Sequence, residues 1–180
     1  VSLRNIYGYV SRRTGEYFYY MVTKEGYVRE IHEWDENGVF RINGDHRGQE
    51  VFIGMSYYFY TKLSKQNIKR ATGNGGVVSE DEGRLQLRYY WFNYSNSGVF
   101  DCHVDNDIKD KHFKYRFTGK ILGESRTKLG VNNVFTGKYK FPVQDNNSEV
   151  VISLSSNNPQ PLNIISGGWE GLYIRRNSAI

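Results

Sequence analysis

The sequence predicts an all-β fold, an antiparallel β-sandwich with a jelly-roll arrangement as one form it can take, built from about eight to ten strands with at most one or two short helices. Residues 112–121 show why: Phe113, Tyr115 and Phe117 alternate with Lys114, Arg116 and Thr118, so one face of a strand can enter a core while the other meets water. The chain has 19 glycines and only 3 prolines, so its turns fall to Gly, Asn and Asp. At 180 residues, with 38% hydrophobic and 16% aromatic side chains, it is sized for a single β-rich domain spanning residues 1–180 with a substantial core. A closed barrel would share this one-dimensional pattern.

Along the chain, residues 6–11 form a short strand candidate, and residues 16–23 and 24–34 read as a hairpin connected by Lys24-Glu25-Gly26. Asp35-Glu36-Asn37-Gly38 signals a second tight turn into a short strand at 39–42. Residues 50–63, EVFIGMSYYFYTKL, read as a strand with a bulge near Gly54. Residues 64–71 are the best place for a short helix, with Ser64 as its cap. Three runs then dominate the middle of the chain, at 85–94, 99–104 and 112–121. In the first, Tyr89, Tyr90, Trp91 and Phe92 are consecutive, which implies either burial on both faces or an aromatic surface used for binding. Phe117-Thr118-Gly119-Lys120 is echoed by Phe135-Thr136-Gly137-Lys138, as equivalent strand ends would be. Residues 143–147 read as a polar break, 149–153 as a buried strand, and 162–165 and 169–176 as closing strands after a loop containing Pro159 and Pro161.

Several chemistries lack their signatures. The lone Cys102 rules out an intrachain disulfide and reads as a buried thiol. The four histidines, His32, His46, His103 and His112, do not have zinc-site spacing, and Asp105-Asn106-Asp107 lacks the glycine and terminal glutamate of a calcium loop, so no metal or cofactor is expected. Glu30 with Glu33, or Asp101 with Asp105, could supply a carboxylate pair for glycoside hydrolysis, but same-strand intervals do not define the separation that chemistry needs. No nucleophile elbow, phosphate-binding loop or dinucleotide fingerprint occurs, so no catalytic residue is assigned. No 18-residue apolar run is present, hence no transmembrane segment is expected. Asn93-Tyr94-Ser95 and Asn146-Asn147-Ser148 satisfy the glycosylation acceptor rule, which matters only on a glycosylating secretory route.

What remains is aromatic surface without catalytic chemistry. Rings offer broad apolar contact and neighbouring polar groups fix orientation, a mixture suited to a sugar ring or a protein surface. The expected function is therefore noncatalytic recognition of carbohydrate or a glycosylated protein or surface, within a viral, phage or extracellular assembly, with an extracellular or virion-surface location. Trp34, Tyr58, Trp91, Tyr94 and Trp169 are the contact candidates, with Asp35, Asn93, Asp105 and Arg175 as hydrogen-bonding partners. The alternative is a structural protein-interaction domain, as a homo-oligomer that buries Trp169 and Tyr173 between subunits. A glycan-active enzyme is a further reading. The net charge of +5 and basic-aromatic runs such as Lys111 to Phe117 permit nucleic-acid binding, but the same alternation is the ordinary solvent face of a strand.

Overall fold

The computed structural model describes residues 19–24, 26–31, 42, 44–55, 58–80, 83–119 and 134–175. Among them the chain is all-β: twelve strands, every pairing antiparallel, and no helix. In chain order they are β1 (Tyr19–Thr23), β2 (Val28–Ile31), β3 (Val51–Met55), β4 (Phe59–Lys62), β5 (Lys69–Ala71), β6 (Val77–Ser79), β7 (Gly83–Ser97), β8 (Phe100–Asn106), β9 (Lys111–Phe117), β10 (Phe135–Asn146), β11 (Val151–Ser156) and β12 (Ile164–Arg175). Two sheets, ordered β10-β7-β12 and β4-β11-β8-β9, share one core and give a sandwich-like arrangement. A sheet ordered β2-β1-β3 has its own small core of Tyr19, Met21 and Ile31, and β5 and β6 form a separate two-stranded ribbon.

Strand β7 is the axis of the larger core, and its pairing settles the question posed by its four consecutive aromatics. Leu85 and Leu87 are buried, then the phase shifts and Tyr90, Phe92 and Tyr94 are buried instead. The shift falls at Arg88, which is an extra residue against β12: Leu87 pairs with Gly171 and Tyr89 with Glu170, the next residue back. A bulge of this kind re-aims the side chains beyond it. Alternation then sends Tyr90 and Phe92 inward and Tyr89 and Trp91 outward. The inward rings join Phe100, Phe117, Tyr139 and Phe141 in a connected aromatic cluster with centroids about 5 to 6 Å apart.

The structure corrects several expectations for individual elements. The helix over 64–71 is absent: Gln66 is buried and donates to the Ser64 carbonyl at 2.8 Å, Ile68 packs on the core, and β5 begins at Lys69. Without an apolar stripe a short helix has nothing to offset its nucleation cost. Residues 50–63 carry two strands in different sheets, and Gly54 pairs in regular register with Tyr20, so no bulge lies there. Residues 143–147 are no break, because β10 runs through to Asn146; the buried Asp145 is tolerated there by accepting from the Asn106 side chain at 2.7 Å and pairing with Lys109. The two closing strands are one twelve-residue strand, β12, in which glycines make room for rings: a Cβ on Gly168 would enter the Trp91 indole. Twelve strands exceed the eight to ten expected, since several short ones carry no pattern of their own.

Other readings agree with the structure. The hairpin of β1 and β2 turns through Gly26 at a φ of 89°, a conformation that favours glycine. Cys102 is fully buried, and that burial, with Asp101 beside it, pushes the thiol pKa up. The echoed phrases, by contrast, are not equivalent strand ends, since Phe117 closes β9 and Phe135 opens β10; they lie close together, and a Cβ on Gly119 would enter the Phe135 ring. The turn at 35–38, the strand at 6–11, the strand at 39–42 apart from Ile42, and the connection at 122–131 lie outside the described residues.

Candidate interaction faces

The outer face of the β10-β7-β12 sheet gathers one aromatic-basic group. Tyr89, Trp91 and Asn93 point out from β7, in register with Glu170, Gly168 and Ser166 on β12 and with Pro142, Lys140 and Lys138 on β10. The Lys138 ammonium sits 4.2 Å from the Trp91 ring centroid and the Lys140 ammonium 4.1 Å from that of Tyr89. Lys140 also reaches across β7 to the Glu170 carboxylate at 2.9 Å, and this partner holds the Glu170 carboxyl below its ordinary range. The Asn93 amide donates to the Ser166 hydroxyl at 2.8 Å. The indole can lie flat across β12 because Gly168 has no side chain to lift it. Further along β12 the same face carries exposed Leu172 and Ile174.

The outer face of the β4-β11-β8-β9 sheet has a different chemistry. Asp101, His103 and Asp105 alternate outward on β8 and stand opposite Arg116, Lys114 and His112 on β9. Arg116 donates to both Asp101 carboxylate oxygens, at 2.8 and 3.1 Å, and Lys114 reaches the same group at 3.1 Å. Burial works to raise the Asp101 carboxyl, and the hydrogen bonds from Arg116 and Lys114 outweigh it, holding the pKa below the ordinary range. His112 bonds Asp105 at 3.1 Å, and His103 bonds the Ser155 hydroxyl at 2.8 Å. One end of the sandwich is closed by a related network, in which Lys109 pairs with Asp145 and, at 2.8 Å, with Glu149. This satisfied lattice leaves Asp101 and Asp105 engaged as structural anions, and among the described residues no group of three or more His, Cys, Asp and Glu side chains gathers to hold a metal.

Of the nine residues expected to make a ligand site, the seven among the described residues do not converge. Trp91 and Asn93 share the aromatic-basic face, while Asp105 belongs to the opposite, ion-paired face with His112. Tyr58 is exposed and stacks on Tyr60 at 6.3 Å next to β4. Tyr94 is a core residue, its ring 4.7 Å from that of Phe117, so it cannot contact a ligand. Trp169 points inward opposite Tyr90 and packs on the core, as does Tyr173 opposite Leu85; their own sandwich accounts for the burial once assigned to a subunit contact. Arg175 closes β12 opposite Gly83, and Trp34 and Asp35 lie outside the described residues. Sequence reasoning missed Tyr89, Lys138, Lys140, Ser166 and Glu170. The strict alternation of Lys138 and Lys140 with Tyr139 and Phe141 was the available signal for the lysines.

Among the described residues the outer faces of the sandwich carry packing groups, ion pairs and exposed apolar side chains. The chain belongs to the bacteriophage nozzle protein family, whose family model matches residues 1–180. It is 41% identical over 147 residues to the tail tubular protein gp12 of Escherichia phage T7, an alignment covering 82% of this chain. The chain spans 18% of the length of that curated relative. Membership in this family overturns the expectation of carbohydrate or glycosylated-surface recognition and favours the structural alternative. Aromatic enrichment misled because most of the rings fill the core between two sheets instead of lining a ligand site.

Proposed function

We propose that this chain is a structural segment of a phage tail nozzle, a noncatalytic β-module that acts as one assembly unit within a virion and works through contacts between identical copies. The observation that supports it best is the family match over residues 1–180, reinforced by the similarity to a protein named for its place in a tail tube. The long β12 edge and its exposed apolar side chains are what an assembling module retains on its surface. Repeated copies bury such surface at symmetric interfaces.

Light scattering across a concentration series tests self-association directly, with discrete oligomers expected and a chain that stays monomeric at every concentration counting against the reading. In the phage itself, excising the segment from the nozzle gene is expected to give particles without completed tails. Complete, infectious particles built without it would show that the segment has no structural role.

A further inference from the structure

An asparagine side chain is open to attack by the peptide nitrogen of the residue after it, and most open when that residue is glycine, which has no Cβ to crowd the closing ring. The chain has three such pairs, Asn37-Gly38, Asn43-Gly44 and Asn74-Gly75, and three in which the small serine follows instead, Asn96-Ser97, Asn147-Ser148 and Asn177-Ser178. Asn37, Asn43 and Asn177 lie outside the described residues.

The structure separates the three that are described. Asn147 is held, because its amide donates to the Gln66 carbonyl at 2.8 Å and to the Asn67 side chain at 3.3 Å. Asn96 leads into the fully buried Ser97, whose hydroxyl donates to the Ser95 and Asn163 carbonyls and accepts from the Asn163 amide at 2.9 Å, so the backbone there is fixed. Asn74 stands exposed in the turn between β5 and β6, and its side chain has no hydrogen bond among the described residues. Gly75 turns at a φ of 77°, and a Cβ on it would meet nothing within 4 Å, so the space around the pair is open.

What holds this turn is local. The Gly75 amide donates to the Thr72 carbonyl at 3.0 Å and the Thr72 amide to the Gly76 carbonyl at 2.8 Å. All six residues of β5 and β6 are exposed, and the ribbon closes at its base through the Glu80 amide on the Ile68 carbonyl at 2.8 Å and the Arg70 to Glu80 pair at 3.5 Å. A two-stranded ribbon is marginal in water, so its tip opens by local fluctuation and frees the Gly75 nitrogen.

We infer that Asn74 is a site of spontaneous deamidation, where this chain acquires a new carboxylate with time. The Gly75 amide gives its proton to hydroxide, and its nitrogen attacks Cγ of Asn74; a C–N bond forms, the succinimide closes, and the side-chain nitrogen takes up a proton and leaves as ammonia. Water then opens the ring. Cleavage of the bond from the ring nitrogen to Cγ leaves an aspartate in place of Asn74. Cleavage on the other side leaves the main chain running through Cγ, an isoaspartyl link with one methylene more than before. Either product lowers the formal charge of +5 by one. The isoaspartyl form also changes the spacing that the Thr72 to Gly75 and Thr72 to Gly76 hydrogen bonds need, so the turn is lost.

The test ages the folded 180-residue chain at mildly alkaline pH in water enriched in heavy oxygen, and follows it by ion exchange and tryptic peptide mapping. Trypsin puts the three Asn-Gly pairs on separate peptides, residues 30–41, 42–47 and 71–84. An acidic form is expected to grow with age and to grow faster as pH rises. The peptide 71–84 is expected to take up heavy oxygen and to split into aspartyl and isoaspartyl forms before the peptides that carry Asn96 and Asn147 change. In Asn74→Gln it is expected to stay single. Conversion in the folded chain is expected to run several-fold slower than in the chain unfolded in urea, because the turn must open first. A peptide 71–84 that stays unlabelled in the folded chain while the unfolded chain converts fully would overturn the inference, and so would label appearing at Asn96 or Asn147 first or only on the other two Asn-Gly peptides.

Discussion

The two outer faces of the sandwich come from the same kind of strand, and their polar groups do different jobs. On the β4-β11-β8-β9 side every outward carboxylate of β8 is matched by a cation directly opposite on β9, or diagonal to it, and Asp101 is buried within its pairs. On the β10-β7-β12 side the ammonium groups lie over rings, the one ion pair is half exposed, and apolar side chains remain uncovered along β12. The first face is finished by its own chain. The second has stabilising contacts of its own and leaves apolar side chains exposed. The connection separates them: β8 and β9 are joined by a tight hairpin that fixes cross-strand partners, whereas β12 follows β11 through residues 157–163 and pairs with β7 from a different part of the chain.

The sharpest way to break that contrast is to remove one anion from each face. Asp101→Ala leaves Arg116 and Lys114 without their shared acceptor beside a buried site, and about 2 kcal/mol of stability is expected to be lost in urea denaturation. Glu170→Ala removes an exposed partner of Lys140 and is expected to leave the denaturation midpoint where it was. Equal losses would mean that the faces do not differ in how far their charges are built into the fold.

Acid sharpens the same contrast. The carboxyls of Asp101, Asp145 and Glu149 are held below their ordinary values of 3.8, 3.8 and 4.5. Groups depressed in the folded state contribute stability that is complete above the unfolded value and is lost as pH falls through the folded one. Stability is therefore expected to hold down to about pH 5 and to fall steeply below about pH 4. Urea midpoints measured from pH 6 to pH 2 check this, and Asp101→Asn should give a shallower decline. A parent and variant with parallel profiles would remove Asp101 from the explanation.

How much of this was legible in the sequence follows from which signals are local. Alternation at Phe113, Tyr115 and Phe117 marked β9, of which Tyr115 and Phe117 pack on the core while Phe113 stays exposed, and the all-β antiparallel class follows from many such runs. Glycine misread β12, because a run containing Gly167, Gly168 and Gly171 looks like a break until the rings of Tyr90, Phe92 and Trp91 are seen above the first two. The bulge at Arg88 was invisible, since it exists only relative to the partner strand, and with it went the sorting of Tyr89 and Trp91 from Tyr90 and Phe92. Of the expected site residues that are described, only Trp91 and Asn93 share the aromatic-basic face. A surface assembled from three strands joined in the order β10-β7-β12 has no signature within any one of them.

A smaller effect probes the aromatic face alone. Gly168→Ala places a methyl group where the Trp91 indole lies, and the ring must swing away from β12 and from Lys138. Because a side chain and not backbone gives way, the cost is expected to be about 1 kcal/mol, with a clear change in tryptophan fluorescence. The same substitution at Gly171 meets the Gln86 carbonyl oxygen at 2.7 Å and should cost more. Fluorescence unchanged in Gly168→Ala would place the indole elsewhere.

The smallest expected effect belongs to the ion-paired face and has the opposite pH sign. The carboxylate of Asp105, 3.1 Å from the ring, raises the His112 pKa above its ordinary 6.5, with lesser contributions from Asp107 and Asp110. A group raised in the folded state adds stability that is complete below the unfolded pKa and lost as pH rises through the folded one, so this pair works on the neutral side while the carboxylates work on the acid side. His112 is more than half exposed, which keeps its effect on unfolding too small for a denaturation curve to resolve. An NMR titration of the ring resonances does resolve it: the midpoint is expected above 6.5 in the parent and lower in Asp105→Asn. A midpoint unmoved by that substitution would mean that the cross-strand pair does not form in solution, and the description of β8 and β9 as a matched ladder of charges would then rest on Asp101 alone.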